Sequence, residues 1–169
     1  DILPSRVPGW ELEMTVNWEP GDQLDPANSY AHPLFKAADD PQRMISGTTL
    51  QIDAYQWVKY RVILYQTVSL TPGSRVQFVV KAGGYSSGSA IQVKAGIDPD
   101  DGAACADGLW QELQLVDQNS GVLTLRSPQA VAGPAGQVTV CIFAEPQYAK
   151  VTNAAFFDDA EIVVTPPGE

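Results

Sequence analysis

Between Tyr60 and Ile97 apolar side chains recur at every second position through three consecutive runs, YRVILYQTVSL, RVQFVVKAGGY and SAIQVKAGI, parted by Thr-Pro-Gly-Ser and by a Ser/Gly segment. A period of two sends alternate side chains to opposite faces of an extended strand, whereas the apolar stripe of a helix recurs every three or four residues. In the middle run Val76, Phe78, Val80 and Ala82 share one parity, against Arg75, Gln77, Val79 and Lys81 on the other. In the third, Ile91, Val93, Ala95 and Ile97 stand against Gln92 and Lys94. The stretch is a β meander, with one face committed to a core and a mostly polar face available to solvent or a ligand.

The rest of the chain follows the same period. Trp10 to Trp18, WELEMTVNW, alternates strictly. Residues 19–43 form a long polar connection with an apolar island at Leu34 and Phe35. Further strands are expected over Met44 to Tyr55, with Gly47 as a bulge, then over Trp110 to Val116, Gly121 to Arg126, Gln137 to Ala144, and Asn153 to Val164, the last interrupted by Asp158-Asp159. Fourteen glycines and thirteen prolines punctuate these runs and leave little room for helix. The expectation is an all-β antiparallel β-sandwich or barrel of about 8–9 strands, forming one domain over residues 1–169 with 1–9 an extended lead-in and 165–169 a tail.

Twenty acidic against ten basic residues give a net charge of −10, which disfavours a nucleic-acid backbone or an anionic membrane as partner. No run reaches the roughly 18 apolar residues of a membrane span, and residue 1 opens no leader, so the chain is either cytosolic or has lost one. Cys105 and Cys141 are the only cysteines, and the single histidine is His32. Cys141 shares the parity of Thr139 and Phe143, opposite to Val138, Val140 and Ile142. It therefore points away from the regular apolar face, where it either staples the Cys105 loop to the sheet or leaves two separate buried thiols. No nucleophile elbow accompanies His32 and no phosphate loop occurs; a carboxylate pair among twenty acids carries no specificity for a glycosidase.

Taken in order, Gly9-Trp10, Gly47, LYQTVSLTPGSRVQFVVKA, IQVKAGIDP and AAFFDDAEIVV resemble the galactose-binding-domain-like jelly rolls, a superfamily that includes carbohydrate-binding modules of bacterial extracellular enzymes. The likeness spans most of residues 9–164 and is nearest to uncharacterised bacterial extracellular modules. It implies a jelly roll, a secreted non-catalytic module binding oligo- or polysaccharide on one sheet face, and a structural calcium ion. The calcium ligands of such modules include a terminal aspartate pair, matched here by Asp158 and Asp159, and an early Asn-x-x-Phe-Glu segment, absent here. Read from the residues alone, Asp158-Asp159 is either such a calcium site or a bulge in which one carboxylate accepts backbone N–H groups. The missing early segment also leaves room for a different reading, a structural subunit of a cell-surface assembly whose edge strands pair with other copies of itself.

Sugar sites set aromatic rings under a pyranose and surround them with amides and charges. The candidates are Tyr55, Trp57 and Tyr85, with Gln77, Lys81, Gln92 and Lys94 from the polar faces; Trp10, Trp18 and Trp110 are expected in core or loop packing.

Overall fold

The computed structural model describes residues 7–15, 30 and 32–168. Among these the chain forms β1 (Glu11–Thr15), β2 (Leu34–Ala37), β3 (Leu50–Val58), β4 (Arg61–Ser69), β5 (Arg75–Ser86), β6 (Ile91–Asp98), β7 (Leu109–Trp110), β8 (Gln114–Val116), β9 (Leu123–Arg126), β10 (Ala130–Val131), β11 (Gln137–Pro146) and β12 (Lys150–Thr165). The one helical piece among them is a 3-10 turn at Ala103–Cys105. Two antiparallel sheets of six strands result. The front sheet runs β1-β4-β11-β6-β7 with β8 also on β6, and the back sheet runs β10-β5-β12-β3-β2 with β9 also on β5. This is the expected sandwich.

The parity read from the sequence sets the core. Val76, Phe78, Val80 and Ala82 of β5 meet Ile91, Val93, Ala95 and Ile97 of β6, Val62 and Leu64 of β4, and Val138, Val140 and Ile142 of β11 in one apolar layer. Phe78, Val93 and Val140 are 1%, 0% and 1% exposed, and each such buried side chain contributes about 1.5–3 kcal/mol. Trp10 closes one margin, its ring 6.1 Å from that of Phe78.

Several boundaries depart from expectation. The Leu34-Phe35 island is a strand, because it finds β3 as a partner in the register Leu34↔Asp53 to Ala37↔Leu50. The strand expected from Met44 starts only at Leu50: Gly47 lies before it in a left-handed bend (φ 50°), and Ala38 and Ile45 instead pack on Ala154 and Phe156 from outside the back sheet. The run Trp110 to Val116 divides into β7 and β8, each pairing with a different part of β6. Val79, placed on the polar face, is 5% exposed, since in register it lies between Arg126 of β9 and Glu161 of β12. β1 covers Glu11–Thr15; Val16 to Trp18 of that expected strand, residues 1–6 of the lead-in and residues 19–29 and 31 of the long connection lie outside the described residues.

Candidate functional site

The seven expected ligand-binding residues divide between opposite faces of the sandwich. Gln77, Lys81 and Tyr85 point outward from β5 in the back sheet, and Tyr55 and Trp57 lie at the end of β3 in the same sheet. Gln92 and Lys94 point outward from β6 in the front sheet. No single ligand of ordinary size reaches both sets.

On the back sheet most of the polar groups already have partners. Arg43 stacks its guanidinium 4.7 Å from the Tyr85 ring centre, Gln77 Nε2 donates to the Ser127 carbonyl at 2.8 Å, and Lys81 pairs with Asp159 at 3.2 Å. Tyr55 donates its hydroxyl to Asp53 Oδ2 at 2.9 Å. Asp53 is buried, and also accepts from Gln51 Nε2 with Lys36 Nζ at 3.8 Å. Burial and this carboxylate together push the Tyr55 phenol up. Trp57 is 46% exposed and, with Gln56, takes a left-handed conformation (φ 65° and 62°). These two residues fall between the pairs Tyr55↔Thr152 and Val58↔Lys150, so they form the wide side of a bulge opposite Val151.

Asp158 and Asp159 also sit at a bulge, between Asp158 and Glu161. Asp158 Oδ1 accepts the N–H of Asp159 at 2.7 Å, while its Oδ2 accepts from the N–H of Ser46 and the hydroxyl of Thr49 at 3.0 and 2.8 Å. Asp159 carries the Lys81 ammonium. Calcium takes six to eight oxygen ligands, and the described residues gather no set of three metal-binding side chains.

The front sheet carries a different arrangement. Ile63, Phe143 and Lys94 stand side by side on its outer face, and Tyr65, Cys141, Gly96 and Trp110 form the adjoining row. The Trp110 ring lies on Gly96: a Cβ there would come within 2.5 Å of it, so glycine is what lets the indole rest on the sheet. Its Nε1 donates to the Cys105 carbonyl at 3.1 Å, and Cys105 is disulfide-bonded to Cys141 with Cα atoms 6.3 Å apart. Trp110 meets Phe143 edge to face, centroids 6.4 Å apart. Phe143 is only 7% exposed although it faces outward, because the Lys94 ammonium (5.1 Å) and the Arg61 guanidinium (5.8 Å) also lie over its ring. Lys94 stands 4.7 Å from the Trp110 ring centre as well.

Beside this aromatic floor lies a carboxylate hub. Glu145 receives Arg61 Nε at 3.2 Å, Lys59 Nζ at 3.8 Å and the Tyr30 hydroxyl at 3.3 Å, and Lys59 in turn lies over the Tyr30 ring. Burial, then Glu145, push the Tyr30 phenol up. Burial, then the Arg61 charge, push the Lys94 ammonium down. Toward the opposite end Thr67 and Thr139 donate to Asp101 at 3.1 and 3.3 Å. The face thus offers ring surface with donors and acceptors around it.

Trp110, expected in packing, is half-buried on this outer face. Lys59, Arg61, Tyr65, Phe143 and Glu145 were not among the expected site residues. The outward parity of Phe143 was the available signal, and the glycine opposite Trp110 in register was not recoverable without the pairing of β6 with β7.

No family model matches the chain, and no curated protein matches it in sequence. Among solved structures, TmCBM61 in complex with β-1,4-galactotriose superposes with a TM-score of 0.62 at 9% identity, covering 94% of this chain and 90% of that one. The CBM22-1 xylan-binding domain of Xyn10C from Paenibacillus barcinonensis superposes at 0.51 and 12% identity, over 92% and 85%. A cyclase from Fischerella sp. TAU, in complex with 4-(1H-indol-3-yl)butan-2-one, does so at 0.53 and 16%, over 99% and 90%. At these identities the likeness is one of fold, and one fold hosts several functions: the chain has the jelly-roll sandwich seen in carbohydrate-binding modules.

Proposed function

We propose that this chain is a secreted, non-catalytic module that binds oligo- or polysaccharide on the outer face of the front sheet. The observation that carries the reading is Trp110 seated on Gly96 edge to face with Phe143, with Lys94 over both rings, Arg61 over Phe143 and Glu145 paired to Arg61. An amphipathic pyranose needs such a surface: apolar C–H groups rest on ring carbons while hydroxyls meet charged and amide groups at the margin. The fold shared with TmCBM61 and the xylan-binding domain supports it. Titration calorimetry against a panel of soluble neutral and acidic polysaccharides tests it. Wild type is expected to bind at least one, and Trp110→Ala to weaken that binding about tenfold, as loss of one ring platform does. Absence of binding to every glycan at millimolar ligand would sink the proposal.

The alternative, a structural subunit using edge strands, finds support in exposed Leu34 on β2 and Val131 on β10, each on an outermost strand. Light scattering separates the two: ordered polymers favour the subunit, a monomer the module.

A further inference from the structure

The chain is acidic, with a net charge of −10, yet the floor just described is locally basic. Lys59, Arg61 and Lys94 converge on it, and among the described residues Glu145 is the one carboxylate ion-paired with any of the three. Glu13 faces outward on β1 opposite Ile63 and Glu11 opposite Tyr65, both exposed, and neither forms an ion pair with these cations. Glu112, in the exposed segment after Trp110, forms none either. Lys94 has no carboxylate within 4.0 Å among the described residues and rests on two ring faces. Arg61, with its side chain 55% exposed, gives Glu145 its Nε.

Resting on the reading of this face as a glycan site, we infer that it selects uronic-acid-containing polysaccharides, whose carboxylate docks between Lys94 and Arg61 while the sugar ring lies toward Trp110. Arg61 and Lys94 lie 5.8 and 5.1 Å from the centre of the same Phe143 ring, and a guanidinium or an ammonium binds a carboxylate more strongly than it binds a hydroxyl. Partial burial beside Arg61 makes the Lys94 charge costly in the unliganded protein, and an incoming anion offsets that cost. A neutral sugar would leave that cost in place.

Calorimetry at low and high salt with polygalacturonate, its fully methyl-esterified form, a neutral β-1,4-galactan and a sulfated galactan tests the inference on wild type, Lys94→Gln and Arg61→Gln, each checked for fold by circular dichroism. The expected result is binding of polygalacturonate about tenfold tighter than of its ester or the neutral galactan. That preference should shrink at high salt and fall to within about threefold in either variant. Equal binding of the esterified and free forms, or a preference untouched by both substitutions, overturns the inference while leaving the glycan-binding reading standing. Tighter binding of the sulfated galactan overturns the choice of carboxylate. Failure of every glycan to bind overturns the underlying reading and this inference with it.

Discussion

Tyr60 is wholly buried where β3 gives way to β4, and its hydroxyl, near the Ala155 backbone, completes no hydrogen bond among the described residues. Burial first, then the charge of Asp53, hold the phenol well above its ordinary value of 10.0, with the Ala155 backbone opposing. The consequence for stability has a definite sign. Once the pH rises past about 10 the unfolded chain ionises this phenol while the folded chain keeps the proton. Stability is therefore fully present below that point and is lost as the pH climbs toward the folded value; Tyr30 and Tyr55, also raised, act in the same direction. Lys94 acts oppositely, since its lowered ammonium penalises folding until the pH passes through its folded value toward 10.5. Thermal melts of Tyr60→Phe should show a shallower alkaline decline than wild type. At neutral pH the cost should stay under about 1 kcal/mol, because the lost hydroxyl satisfied no partner; an unchanged alkaline limb would contradict this account. None of it was legible in the sequence, where Tyr60 merely opens a strand, because the partner lack depends on which backbone faces the hydroxyl.

At the level of elements, β6, β7 and the Cys105 loop form one unit on the front sheet. The disulfide spans 36 residues, and closing a loop of that length in the unfolded chain contributes roughly 3–4 kcal/mol. Cys105→Ser with Cys141→Ser should lower the denaturation free energy by about that much, read from urea melts. Gly96→Ala is sharper: its new methyl would meet the Trp110 ring at 2.5 Å, and the ring, unlike a flexible chain end, cannot swing aside without losing its Nε1 bond to Cys105. Tryptophan fluorescence should report a displaced indole and calorimetry a weakened glycan site, with the sandwich intact by circular dichroism. A native-like emission spectrum would refute the stacking. The pairing of Cys105 with Cys141 was one of two readings open in the sequence, and the outward parity of Cys141 was its physical basis. The division of Trp110 to Val116 into two short strands was hidden, because Gln111 keeps its N–H on the Ala95 carbonyl at 3.1 Å but answers the Ala95 N–H with its side-chain Oε1, at 2.8 Å, instead of its own carbonyl.

For the molecule as a whole, the two outer faces have become unlike. The back face is partly capped by the segment through Ala38 and Ile45, which packs on Ala154 and Phe156 and engages Asp158 through Ser46 and Thr49. Among the described residues the front face leaves Arg61 exposed and Trp110 and Lys94 half-buried. A double substitution on the back, Tyr55→Ala with Lys81→Ala, should leave polysaccharide affinity within about twofold of wild type. An effect as large as that of Trp110→Ala would move the site to the back sheet. Alternation alone determined that this chain builds strands, which side chains enter the core, and that the core lies between two layers, because a period of two is a local property of the backbone and burial of apolar area follows from it. Which polar faces share a surface was decided only by tertiary structure. Strands adjacent in sequence, β5 and β6, go to different sheets, so Lys81 and Lys94, alike in pattern, end on opposite sides of the sandwich.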